Sequence, residues 1–139
     1  MRILVTGANG QLGTDCREVL GDGNEILGVD LPDVDVARSE DIEPIVISFS
    51  PEVIVHAAAY TQVDRAEDER EEAERVNTHA ARWIARTAER RNARLIYIST
   101  DYVFDGNKPP PEAYEETDPV SPQSWYGVWI LDGMSGLTV

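Results

Sequence analysis

The spacing of hydrophobic residues changes several times along the chain, and each change marks a new element. Residues 2–6, Arg-Ile-Leu-Val-Thr, form a short β-branched and apolar run that stops at glycine, the pattern of a buried strand. A helix is predicted from about Gln11 to Leu20, ended by Gly21-Asp22-Gly23, and a second strand from Glu25 to Val29. From Ser39 to about Phe49, Ile42, Ile45, Val46 and Phe49 share one helical face, with Ser39 as N-cap and Pro51 closing the helix. Val53-Ile54-Val55-His56 is the third strand, followed by an alanine loop and a charged segment from Asp64 to Glu72. The longest helix is predicted from about Arg70 to Arg91, where Val76, Ala80, Ile84 and Ala88 recur every four residues, and Arg94 to Ser99 is the fourth strand.

Strands alternating with helices at this spacing predict an α/β fold, a doubly wound, Rossmann-like parallel sheet with helices on both faces and one domain over residues 1–139. In such sheets ligands bind beyond the carboxyl ends of the strands. The stretch from Asn107 to Pro122 carries Pro109, Pro110, Pro111, Pro119 and Pro122, so it is expected to be an extended loop. After Tyr126 too few residues remain for another strand and helix pair, so the chain is expected to stop where an α/β sheet would continue.

Composition narrows the function. Twelve basic residues against twenty-six acidic ones give a net charge of −14, and Lys108 is the single lysine. A field of that sign repels phosphate backbones, which argues against nucleic acid. An acid-rich, lysine-poor surface suits high salt, where a Debye length of roughly 3 Å at 1 M suppresses self-repulsion, and a halophilic source is expected. No apolar run approaches the ~20 residues of a membrane span, and residues 1–6 read as a strand rather than a signal peptide, so a cytoplasmic protein is expected. Cys16 cannot pair within the chain and reads as a small buried hydrophobe. No His, Cys and carboxylate cluster has metal-ligand spacing, and His56 and His79 are assigned no role.

The candidate chemistry starts at Gly7-Ala8-Asn9-Gly10-Gln11-Leu12-Gly13, between the first strand and the first helix. A chain that pivots there and brings its N–H groups to a diphosphate at a helix N-terminus has no room for side chains, and Gly7, Gly10 and Gly13 have none. Asp30 stands at the end of the second strand, about twenty residues on, where an acid accepts the ribose hydroxyls of the adenosine half. That favours NAD(H) over NADP(H), although Asp33 or Asp35 could serve instead, and Val36 joins Asp35 as a candidate cofactor contact. Ala57-Ala58-Ala59 places small side chains where the cofactor's phosphates and ribose would lie. Ser99 to Gly106 follows the fourth strand, where the Thr100 hydroxyl can bond a substrate carbonyl, and Tyr126 can donate a proton if its pKa falls from ~10.

These strings, together with Tyr60-Thr61, Val63-Asp64-Ala66-Glu67 and Val76-Asn77, resemble the extended short-chain dehydrogenase/reductases, and within them the dTDP-4-dehydrorhamnose reductase family. The resemblance covers residues 1 to about 127, roughly the cofactor-binding half of such a protein. It implies NAD or NADP as cofactor, with Asn9, Gln11, Leu12, Tyr60 and Asn77 added to the cofactor-binding set. It also implies hydride transfer to the C4 ketone of a dTDP-sugar, dTDP-4-dehydro-L-rhamnose, with Thr100 polarising the ketone, Tyr126 supplying the proton, and a homodimer as a possible assembly. One departure stands out. The family places a lysine four residues after its tyrosine to bind the nicotinamide ribose and lower the tyrosine's pKa, and Ile130 stands there instead. Residues 128–139 read as an atypical tail, and a chain with a complete cofactor site and an incomplete catalytic site is expected. The alternative is a non-catalytic dinucleotide-binding or regulatory module, since the family includes a regulatory subunit of methionine adenosyltransferase.

Overall fold

A computed structural model describes residues 1–135 of the chain. Its elements run β1 (Arg2–Thr6), α1 (Gln11–Leu20), β2 (Glu25–Val29), α2 (Ser39–Phe49), β3 (Val53–His56), α3 (Val63–Ala66), α4 (Arg70–Glu74), a π-helical turn (Arg75–Ala80), α5 (Ala81–Arg91), β4 (Arg94–Tyr97), a 3-10 turn (Asp101–Val103) and α6 (Trp125–Met134). The four strands are all parallel in the order β2-β1-β3-β4. Strands buried on both faces need apolar residues at every position, which is why β1 and β3 read as unbroken runs rather than alternations.

The two faces of the sheet carry separate cores. On one, Ile3, Val5 and Val55 pack with Cys16 and Leu20 of α1. On the other, Leu4, Ile54 and Val29 meet Ile42 and Val46 of α2 and Ala80, Ile84 and Ala88 of the long helix. Helices therefore cover both faces, as the doubly wound pattern predicts. Pro44 lies inside α2, yet the helix continues around it, with Ile42 and Val46 on either side fully buried.

The boundaries differ from expectation in four places. Arg38, not Ser39, is the N-cap of α2, because Ser39 is already its first helical residue and its hydroxyl faces Glu40. The segment expected to be only charged loop contains α3, which buries Ala66. The expected helix from Arg70 to Arg91 is not one α-helix, since a π turn divides it. The fourth strand ends at Tyr97, so Ile98 and Ser99 lie past its pairing with β3. The proline-rich stretch holds no helix or strand and is fastened by side chains. Lys108 pairs with Asp118, Tyr114 stacks on Phe104 at 4.4 Å, and the Ser121 amide donates to the Val103 carbonyl at 2.8 Å. Residues 128–134, expected to belong to an atypical tail, are part of α6, with Trp129 and Ile130 buried; the rest of that tail, 136–139, lies outside the described residues. No helix among the described residues is long and apolar enough to cross a membrane.

Candidate functional site

At the carboxyl ends of β1, β2 and β3 a cleft of about 510 Å³ opens, and it passes from the glycine turn to the first residues of α6. Its floor begins where β1 ends. Gly7 has φ +67°, a backbone conformation that side chains disfavour, and a Cβ there would lie 2.6 Å from the Ala58 amide nitrogen. Gly13 is held closer still, since a Cβ would stand 2.1 Å from the Gly7 carbonyl oxygen. The strand end, the turn and the first turn of α1 can thus approach one another only without side chains. Gly10 caps α1 with extended backbone and no side-chain bond. Its carbonyl accepts from the Thr14 amide, and the Gln11, Leu12 and Gly13 amides, the first three of the helix, have no partner among the described residues. Three free donors and the positive end of a helix dipole converge on one spot. That is an anion site.

Asp30 is fixed beside this turn. One carboxylate oxygen accepts from the Asn9 amide at 2.7 Å and the other from the Leu31 amide at 2.8 Å. Both oxygens keep lone pairs for a ligand's hydroxyls. Farther along, Val34, Asp35 and Val36 form one wall and Arg75 and Val76 of the π turn face them. On the other side of the turn, Ala57, Ala58 and Ala59 line the cleft with little bulk. The loop they begin is braced by Asn77, which is 2% exposed. Its Oδ1 accepts from the Tyr60 amide at 2.8 Å and its Nδ2 donates to the Tyr60 carbonyl at 3.0 Å.

His56 closes the bottom. It is 2% exposed, its Nδ1 pairs with the Thr6 hydroxyl at 2.7 Å, and its buried Nε2 has no partner among the described residues. Burial lowers its pKa to about 4, so the ring is neutral at physiological pH. At the far end stand Tyr97, Ile98, Ser99, Tyr126 and Ile130. Tyr126 lies in the first turn of α6, whose N-cap Ser124 accepts from the Gly127 amide at 3.2 Å. Its ring meets Tyr102 edge-on at 5.6 Å. Half-burial raises the phenol's pKa above 10, the Thr100 hydroxyl opposes that shift, and Tyr102 and Asp101 add to it. One helical turn on, Ile130 is 2% exposed and shares the cleft wall with Tyr126. Beside Tyr126 this part of the cleft wall is apolar.

Most of the residues singled out in the sequence meet in this cleft. Gly7, Gly10, Gln11, Leu12, Gly13, Asp30, Asp35, Val36, Ala57, Ala58, Ala59 and Tyr126 all line it. Asn9, Tyr60, Asn77 and Thr100 do not form its wall. Asn9 acts through its amide on Asp30, Tyr60 turns its hydroxyl to Glu69, and Asn77 holds the Tyr60 backbone. Thr100 accepts from the Tyr102 amide at 3.3 Å, capping the 3-10 turn beside Tyr126. Sequence reasoning passed over Arg75 and gave His56 no role, although both line the cleft. A lone arginine among the charges of a long helix carries no signal, whereas a histidine ending an apolar strand beside three alanines does. Among the described residues no group of three or more His, Cys, Asp or Glu could hold a metal ion.

The chain is similar over most of its length to proteins of known type. It is 42% identical over 134 residues to dTDP-4-dehydrorhamnose reductase of Aggregatibacter actinomycetemcomitans, covering 95% of this chain and 45% of that protein. It is 37% identical over 140 residues to methionine adenosyltransferase 2 subunit beta of Pongo abelii, covering 95% of this chain and 41% of the other. Among solved structures, dTDP-4-dehydrorhamnose reductase of Bacillus anthracis in complex with NADP superposes with a TM-score of 0.90 at 39% identity, over 95% of this chain and 47% of that one. The chain therefore spans less than half the length of these relatives. The family model described as the RmlD substrate binding domain matches residues 1–135, and the chain belongs to that family.

Proposed function

We propose that this cleft holds NAD or NADP, and that the chain is the cofactor-binding part of a reductase acting on the C4 ketone of dTDP-4-dehydro-L-rhamnose. The observation that carries the reading is the set of three unpartnered amides, Gln11, Leu12 and Gly13, set above β1 where Gly7 and Gly13 leave no side chain in the way. A diphosphate supplies the acceptors these donors lack. Asp30 would take the adenosine ribose hydroxyls, and its negative charge disfavours a 2′-phosphate, so NADH is the preferred form. A bound nicotinamide dinucleotide would supply the hydride. Tyr126 keeps its proton at neutral pH because burial raises its pKa, which suits an acid. Thr100 would orient the ketone from the turn that packs beside that phenol.

The relatives named reductases and the resemblance through Thr100 and Tyr126 support catalysis. Ile130 supports a second reading, a dinucleotide-binding module without catalytic function, as does the likeness to a methionine adenosyltransferase subunit. Without a lysine there, neither the nicotinamide ribose nor the departing phenolate charge has a cationic partner from α6. Calorimetric titration with NADH and NADPH tests the common claim, with NADH binding more tightly; no binding of either refutes it. NADH oxidation in the presence of dTDP-4-dehydrorhamnose then separates the two readings, because turnover excludes the second and its absence in a chain that binds NADH excludes the first for these residues alone.

A further inference from the structure

Helix α6, which carries Tyr126, is seated by its main chain as well as by its side chains. Its Trp129 carbonyl accepts from the Thr78 hydroxyl at 2.9 Å, and its Asp132 carbonyl accepts from Arg82 Nε at 3.0 Å. Between these two, the Ile130 carbonyl accepts from the Tyr97 hydroxyl at 3.4 Å, and the same hydroxyl reaches the Asn77 carbonyl of the π turn at 3.3 Å. A carbonyl oxygen has two lone pairs, so each can serve a side-chain donor besides the helix. Two glycines permit so close a seat. A Cβ at Gly133 would stand 2.4 Å from the Asn77 carbonyl oxygen and 2.8 Å from the Tyr97 hydroxyl, and one at Gly127 would stand 2.2 Å from the Tyr102 carbonyl oxygen.

Among these donors Tyr97 alone lines the cleft. It ends β4, shares the far wall with Tyr126 and Ile130, and its ring lies 5.7 Å from that of His56. Burial, with Tyr126 adding to it, pushes its pKa up to about 12, so the hydroxyl keeps the proton it donates. A hydroxyl shared between two carbonyls sets the spacing of the elements that bear them. Ile130 lies one helical turn beyond Tyr126, so a shift of α6 at Ile130 is carried to the phenol. We propose that Tyr97 is a positioning residue for Tyr126: by bridging the π turn and α6 through two main-chain carbonyls, it fixes how far the Tyr126 phenol reaches into the nicotinamide end of the cleft. The bridge ends on backbone, so it forms whichever side chain stands at 130 and is complete in a chain with Ile130. This inference rests on the dinucleotide reading above.

The test compares NADH with ADP, which stops at the diphosphate, by titration into the whole chain. The unaltered protein should prefer NADH by at least about tenfold, the value of one good hydrogen bond at the nicotinamide end. Tyr97→Phe removes the bridging hydroxyl and keeps the ring. It should lower the NADH preference by about tenfold, while ADP binding changes less than twofold. Tyr126→Phe should lower the preference by a similar factor, and the double variant should lower it no further, because Tyr97 acts through Tyr126. Gly133→Ala, which pushes α6 off the same bridge from the other side, should also lower the preference, and it serves where Tyr97→Phe fails to fold. NADH and ADP weakened alike in Tyr97→Phe would assign the residue a purely structural part and overturn the inference, as would an unchanged preference. Losses that add in the double variant would overturn it too, since Tyr97 would then act independently of Tyr126. Equal binding of NADH and ADP by the unaltered protein would overturn the inference and leave the diphosphate site standing; binding of neither would remove the cofactor reading beneath it.

Discussion

Acid should destabilise this protein through His56 before it does so through most of its carboxylates. The ring ends β3 under the cleft, 2% exposed, with Thr6 on one nitrogen and no partner among the described residues on the other. Burial lowers its pKa from 6.5 to about 4. The unfolded chain takes up a proton near 6.5 and the folded ring refuses it until about 4, so this contribution to stability is complete above 6.5 and is lost as pH falls between the two. At about 1.4 kcal/mol per pH unit, that interval amounts to about 3 kcal/mol. Against a total stability on the order of 5–15 kcal/mol the loss is large. Urea unfolding at steps from pH 8 to 4 would measure it, with His56→Gln beside the unaltered chain so that the common titration of the carboxylates cancels. The unaltered protein should lose about 3 kcal/mol more than the variant over that range. Parallel curves would refute the claim that the ring is held neutral by burial.

Two further outcomes follow from the glycine turn and the charge. Gly13→Ala puts a Cβ within 2.1 Å of the Gly7 carbonyl oxygen, so the turn must open. It should cost about 1–3 kcal/mol in melting experiments and weaken NADH binding by at least about tenfold; unchanged affinity would mean the diphosphate is not held there. With a net charge of −14, the melting temperature should climb from low to molar sodium chloride, and greater stability in low salt would contradict the expected halophilic source.

The sheet and its helices were legible because burial on both faces leaves a direct trace. Every residue from Ile3 to Val5 is apolar, and Ile42, Val46, Ile84 and Ala88 recur at helical spacing. The glycine turn was legible for a related reason, since Gly7 and Gly13 are required by distances of 2.6 and 2.1 Å that no side chain survives. What the sequence hid depends on partners far along the chain. Asn77 looks like any polar residue in a helix until it meets Tyr60, and Arg75 is one of several arginines until it meets Asp35, 40 positions earlier. The break in the long helix was hidden too, because Val76, Ala80, Ile84 and Ala88 keep a spacing of four through it. Ser39 misled because serine is among the favoured N-cap residues, yet here Arg38 takes the cap and Ser39 is already the first helical residue.

The wide turn between α4 and α5 sets a rotational phase for everything on either side of it. Ile84 and Ala88 must face the sheet, while Arg75 must face the opposite wall of the cleft. An ordinary helix advances about 100° per residue, so deleting one residue here would restore regular geometry and swing one flank by about that angle relative to the other. Either the core contacts or the cleft contacts would then be lost. The segment therefore tolerates exchange of side chains far better than any change in its length, and an insertion or deletion within Arg75–Ala80 would be felt at both ends of the helix at once.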